Sequence, residues 1–123
     1  MKKTKQISLI LSILLIFQLI PAINAHAEEK AENEIAGLPL IQRSILQSLG
    51  SCVRPGGVLI YSTCTILRAE NEEVVEDFLR RNPVFSPDDF TIGAVRSING
   101  CYTFWPHIDG TDGFFAAKLR RNE

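Results

Sequence analysis

The sequence predicts an α/β fold whose elements run helix, strand, helix, strand, strand and close on a hairpin. Three observations carry that expectation. The apolar run Val58 to Tyr61 follows the turn signal Pro55-Gly56-Gly57 and is too short for a helix. Apolar stripes at helical spacing lie on both sides of it, at Leu38 to Leu49 and at Val74 to Leu79. Two further short apolar runs, Tyr102 to Trp105 and Phe114 to Leu119, flank a stretch rich in turn residues. A chain of 123 residues has room for one small domain.

The first 27 residues stand apart. Lys2, Lys3 and Lys5 precede an apolar run from Ile7 to Ile20, Pro21 ends it, and Ala25-His26-Ala27 follows. That is the charged start, apolar middle and small-x-small site of a secretory signal peptide. The run is shorter than the roughly 20 residues of a spanning helix. An uncleaved membrane anchor and a buried helix are the other readings. Residues 28–37 are charged and small, without periodicity, and read as a linker. Residues 38–121 form the domain.

Within that domain, Leu38, Ile41, Ile45, Leu46 and Leu49 share one helical face. Pro39 suits the first turn and Gly50 the end. Val58 to Tyr61, with no polar interruption, suits a strand buried on both faces, as in a parallel sheet. Ser62, Thr63 and Cys64 then fall at its carboxyl end, where open α/β sheets carry their ligands. Thr65 to Glu70 is a loop. Asn71 can cap a helix running to about Arg81, with Glu72, Glu73 and Glu76 near its positive end and Arg80 and Arg81 near its negative end. Asn82-Pro83 stops it. Phe85 to Ile98 is irregular, Tyr102 to Trp105 a short strand, Pro106 to Gly113 a loop, Phe114 to Leu119 the last strand, and Arg120 to Glu123 a tail.

Composition narrows the functions. Without residues 1–27 the chain keeps 10 basic against 14 acidic residues, a net charge of −4. That balance does not advertise a nucleic-acid-binding face. Three cysteines, Cys52, Cys64 and Cys101, form no CxxC pair and no closed disulfide framework. The glutamates after Asn71 read as a solvated helix face. His107, Asp109 and Asp112 fit no strong metal-ligand spacing. Tyr102 and Trp105 suit base stacking or core packing equally.

Several segments together resemble a known family. Pro55-Gly56-Gly57, Tyr61-Ser62-Thr63-Cys64 and Glu70-Asn71-Glu72-Glu73-Val74-Val75 are similar to the Sun-type (Rsm/Nop-type) RNA cytosine-5 methyltransferases. So is the ending Thr103-Phe104-Trp105-Pro106-His107, with Gly110-Thr111-Asp112-Gly113-Phe114-Phe115. The resemblance spans Leu38 to Arg120 and is nearest to bacterial enzymes acting on small-subunit rRNA. It implies the C-terminal fragment of a Rossmann-like class I methyltransferase sheet, with S-adenosyl-L-methionine as cofactor and ribosomal RNA as partner. It also implies that Cys64 is the nucleophile, adding as thiolate to carbon 6 of cytosine so that carbon 5 accepts the methyl group.

The family's glycine-rich cofactor loop, its ribose-binding acid and its Asp-Ala-Pro-Cys motif are absent from this sequence. The cofactor site is therefore expected to be missing, the chain alone to be inactive, and a missing N-terminal half to be a possible partner. Cys52 and Cys101 lie outside a Pro-Cys context and are expected to be structural. In the family the run at Val58 pairs with a preceding strand, so an unpaired edge and self-association are expected. The resemblance points to the cytoplasm, while residues 1–27 point to secretion. The rival reading is an exported non-enzymatic protein, a structural or binding remnant of the fold.

Overall fold

The computed structural model describes residues 33, 34 and 36–123. The chain divides into two units, Met1–Gly37 and Leu38–Glu123. In the first, residues 33, 34, 36 and 37 are helical. Part of the stretch read as a linker therefore has regular structure, as its alanines and glutamates favour. The signal-like segment lies outside the described residues.

The second unit opens with helix α1 over residues 38–50. Strand β1, Val58–Thr63, follows, then a 3₁₀ turn at Arg68–Glu70 and helix α2, Glu72–Arg81. Strand β2 is Phe85–Pro87, and β3, Thr91–Ile92, forms a small hairpin with β4, Val95–Arg96. Strand β5 is Cys101–Phe104, α3 a single turn at Pro106–Asp109, and β6 Phe114–Arg121. The α/β class is as expected. Strands within Phe85 to Ile98 and the helical turn after Trp105 are not. Both are short and are set by tertiary pairing or by one side chain, which leaves no periodicity to read.

Strand β6 is the centre of the main sheet. It pairs antiparallel with β1 along one side (Val58 opposite Arg120, Thr63 opposite Phe115) and with both β2 and β5 along the other. The sheet built by the described residues is thus antiparallel, where the sequence suggested parallel strands. Its buried face carries Leu59, Phe115, Ala117 and Leu119, packed with Val74, Val75 and Phe78 of α2 and Leu46 of α1. This face alone accounts for the core. Phe78 and Phe85 meet edge to face at 5.0 Å, a geometry aromatic quadrupoles favour.

Two expectations about burial fail for one reason. Strand β1 is covered on one face, so Leu59 is buried while Val58 and Ile60 are 40% and 60% exposed. Of the α1 stripe, Leu46 is buried, but Ile41, Ile45 and Leu49 are each at least half exposed. An uninterrupted apolar pattern reports surface that needs covering; the described residues cover half of it.

The turn before β1 is tied to the end of β6. Gly56 N–H donates to Arg121 O at 2.8 Å with φ at +74°, a conformation open to glycine at little cost. Arg121 N–H returns a bond to Gly57 O at 2.9 Å.

Candidate active site

Cys64 is exposed and stands one residue past β1. It opens onto a cavity of about 910 Å³ walled by Ile66, Phe104 and Phe114, with Thr111, Asp112 and Gly113 along its rim. Phe104 and Phe114 lie 5.7 Å apart between ring centroids, and Tyr102 meets Phe104 at 4.8 Å. The aromatic wall beside the thiol therefore consists of Phe104 and Phe114. Tyr102 instead donates its hydroxyl to Asp109 Oδ1 at 2.9 Å, and Trp105 meets His107 at a tilt, 6.0 Å between ring centroids. The two phenylalanines sit at motif positions, but no spacing rule joins them to Cys64. The pairing of β5 with β6 does, through Phe104 opposite Phe114.

The backbone on either side of Cys64 is held by one side chain. Asn71 is fully buried. Its Oδ1 accepts the Thr63 hydroxyl, and its Nδ2 donates to Thr65 O at 2.9 Å. Sequence reasoning made Asn71 a helix cap. It does occupy the position before α2, but its side chain makes no capping bond. The carboxamide turns back to the Cys64 loop instead. Thr65 Oγ1 also accepts Leu67 N–H at 3.1 Å.

The second wall of the cavity is fitted to the first by Gly113. A Cβ there would come within 2.9 Å of Ile66 Cγ2. Ile66 is 43% exposed and can swing aside. Gly113→Ala is therefore expected to cost only about 1 kcal/mol of stability, read from the denaturation midpoint. Gly113→Val should cost more, because a branched Cβ cannot be met by one rotamer change.

The other cysteines stand elsewhere. Cys52 is exposed, with Sγ 3.7 Å from Ser48 O. Cys101 is half-buried on β5, and burial, with Glu72, Glu76 and Asp89 nearby, pushes its thiol up to about 11. At pH 8 a maleimide should label Cys52 and Cys64 promptly and Cys101 last, as mass spectrometry of the peptides will show. Among the described residues no group of three or more His, Cys, Asp or Glu side chains is placed to hold a metal ion.

Tyr61 backs the same region. Its hydroxyl donates to Glu70 O at 2.6 Å, and burial, then the Glu70 charge, lifts its pKa from the ordinary 10 to about 12. The unfolded phenol loses its proton first as pH rises. The stabilisation is whole below pH 10, shrinks above it, and is gone once the folded phenol ionises near 12. Tyr61→Phe should flatten the fall in stability across that window, measured by urea unfolding at fixed pH values.

Comparison with known proteins adds the following. The family described as 16S rRNA methyltransferase RsmB/F matches residues 21–120. That match starts before Leu38, where the motifs placed the beginning of the resemblance, and overlaps the end of the signal-like segment. Over 100 residues the chain is 39% identical to the probable ribosomal RNA small subunit methyltransferase B of Bacillus subtilis, covering 75% of this chain and 22% of that protein. Among solved structures, NSun6 from Pyrococcus horikoshii with SFG is 35% identical at a TM-score of 0.59, covering 69% of this chain and 22% of that one. A methyltransferase homolog protein from the same organism is 28% identical at a TM-score of 0.62, covering 72% and 32%. The chain thus spans about a fifth of the length of the curated relatives it matches. No described helix is long and apolar enough to cross a membrane.

Proposed function

Because this chain belongs to the 16S rRNA methyltransferase RsmB/F family, we propose that it supplies the nucleophile-bearing part of an RNA cytosine-5 methyltransferase, with Cys64 as the nucleophile. The observation that carries this reading is the exposed Cys64 thiol opening onto a cavity walled by Phe104 and Phe114. In this reading a cytosine packs against those rings and offers carbon 6 to the sulfur. The thiolate adds to carbon 6, which makes carbon 5 nucleophilic toward the methyl donor. Carbon 5 takes the methyl group, a base removes its proton, and the electrons of that C–H bond expel the thiolate and restore the ring. A thiol suits both ends of that sequence, being a good nucleophile and a good leaving group.

The family depends on S-adenosyl-L-methionine. In this reading the cofactor site lies in the part of the domain that the chain does not span. The substrate is ribosomal RNA, and the place of action the cytoplasm, where that RNA is made.

The test supplies the full-length chain with the B. subtilis relative lacking the segment that this chain matches. Transfer of a labelled methyl group to small-subunit rRNA is expected in the mixture and from neither piece alone. Transfer by this chain alone would refute the division of the site.

A further inference from the structure

The turn after β5 carries the single tryptophan of the chain. Trp105 is 37% exposed and stands outside both the core and the partly buried side chains packed on it. Of its two readings in the sequence, core packing therefore does not describe it. A large ring that pairs an apolar body with a polar N–H is suited to an interface.

Its place is fixed by a carboxylate. Trp105 is extended, with φ −96° and ψ 129°, and its N–H donates to Asp109 Oδ2 at 2.7 Å. Asp109 Oδ1 accepts the Tyr102 hydroxyl at 2.9 Å. One side chain thus ties the end of β5 to α3, and hydrogen bonds to a charged acceptor are the stronger kind. Gly110, at φ +67°, closes the turn by donating its N–H to Pro106 O at 3.2 Å. With the backbone held, the indole is presented without the cost of ordering a loop on binding. His107 is exposed beside it and tilted by 58°, so the imidazole does not lie flat over the indole.

The turn adjoins the candidate active site. Phe104 and Pro106, the residues on either side of Trp105, both line the cavity onto which Cys64 opens. Enzymes that act on a base take it from a single strand or extrude it from its stack. In either case the neighbouring base lacks a stacking partner, and aromatic side chains take up such bases in RNA.

We propose that Trp105, with His107 at its side, is the stacking platform for the nucleotide next to the target cytosine in an unpaired stretch of RNA. This rests on the proposed function and names the form of its substrate. It also fits the acidic balance of the chain. Between Ser97 and Ala117 the sequence has no lysine or arginine, so this stretch offers no cation to a phosphate. Stacking uses the uncharged face of a base and needs none.

The test labels the full-length chain with fluorotryptophan, which gives one fluorine NMR signal because Trp105 is the only tryptophan. A single-stranded fragment of small-subunit rRNA is titrated into the chain alone and into its mixture with the B. subtilis relative lacking the matched segment. The signal is expected to shift with this RNA and to stay in place with the same sequence in a duplex. In the methylation assay of the mixture, Trp105→Ala should raise the KM for RNA at least about fivefold, the loss expected when one stacked base is given up, while kcat stays near that of the parent. Trp105→Phe should recover most of that loss. An abasic residue beside the target cytosine should cost the parent as much and Trp105→Ala nothing further. No shift with RNA in either sample, or an unchanged KM in Trp105→Ala, would overturn the proposal. So would the same shift on adding the partner piece without RNA, which would assign the indole to a protein contact. A shift without methyl transfer leaves the platform intact and counts against the nucleophile, and methyl transfer without a shift does the reverse.

Discussion

Cys64→Ala is expected to abolish methyl transfer in the reconstituted mixture, by at least about 10⁴-fold, the scale on which loss of a covalent nucleophile is felt. None of the other groups lining the cavity can add to a pyrimidine carbon and leave again. Ile66, Phe104, Pro106 and Phe114 are apolar, Thr111 and Thr65 are unactivated hydroxyls, and Asp112 is a poor carbon nucleophile. The loss should fall on turnover while RNA binding persists, since removing one sulfur leaves the aromatic wall standing. Cys52→Ala and Cys101→Ala should stay within a few-fold of the parent, because neither thiol lines this cavity. Measured rates for the three variants decide the assignment. Turnover surviving in Cys64→Ala would end it.

Asn71→Leu should carry a large stability cost at nearly constant volume. The substitution takes Asn71 away from the Thr63 hydroxyl and Thr65 C=O, which keep only the long 3.4 Å bond between them, in a region where Asn71 itself has no exposed surface. A buried polar group that loses its partner costs up to about 1–3 kcal/mol, against a total of about 5–15 kcal/mol for an ordinary domain. The variant should show an earlier urea midpoint and a lower methylation rate. A variant equal to the parent in both measurements would show that the loop at Cys64 is held by something else.

How much of this was legible in the sequence depended on the range of the interaction. Helix α2 was readable because its apolar period, its terminal charges and its stop at Asn82 are all local. The placing of Cys64 at the end of β1 was readable too, since a buried-type run and its carboxyl end are contiguous. What was not legible depends on groups far apart along the chain. Asn71 looks like any residue preceding a helix until Thr63 and Thr65 are brought back to it. Gln42 carries no motif, and its pairing with Glu70 needs α1 laid beside the turn before α2. The apolar stripe of α1 was legible as a stripe but not as an uncovered one, because residue pattern reports hydrophobicity and not what covers it.

The position of β6 has a consequence for how the chain acquires its structure during synthesis. Strands β1, β2 and β5 all pair with β6 and lie before it in the chain. A ribosome therefore releases β1 some fifty residues before the strand that will hold it. Until β6 emerges, the run Val58 to Tyr61 is an apolar segment with no ladder on either side, the kind of species that aggregates or recruits chaperones. Closing that long loop slows folding more than it weakens the product. A ribosome paused before Phe114 should carry a nascent chain with helical signal but no protected sheet amides, and protease resistance should appear in one step once Arg121 has cleared the exit tunnel.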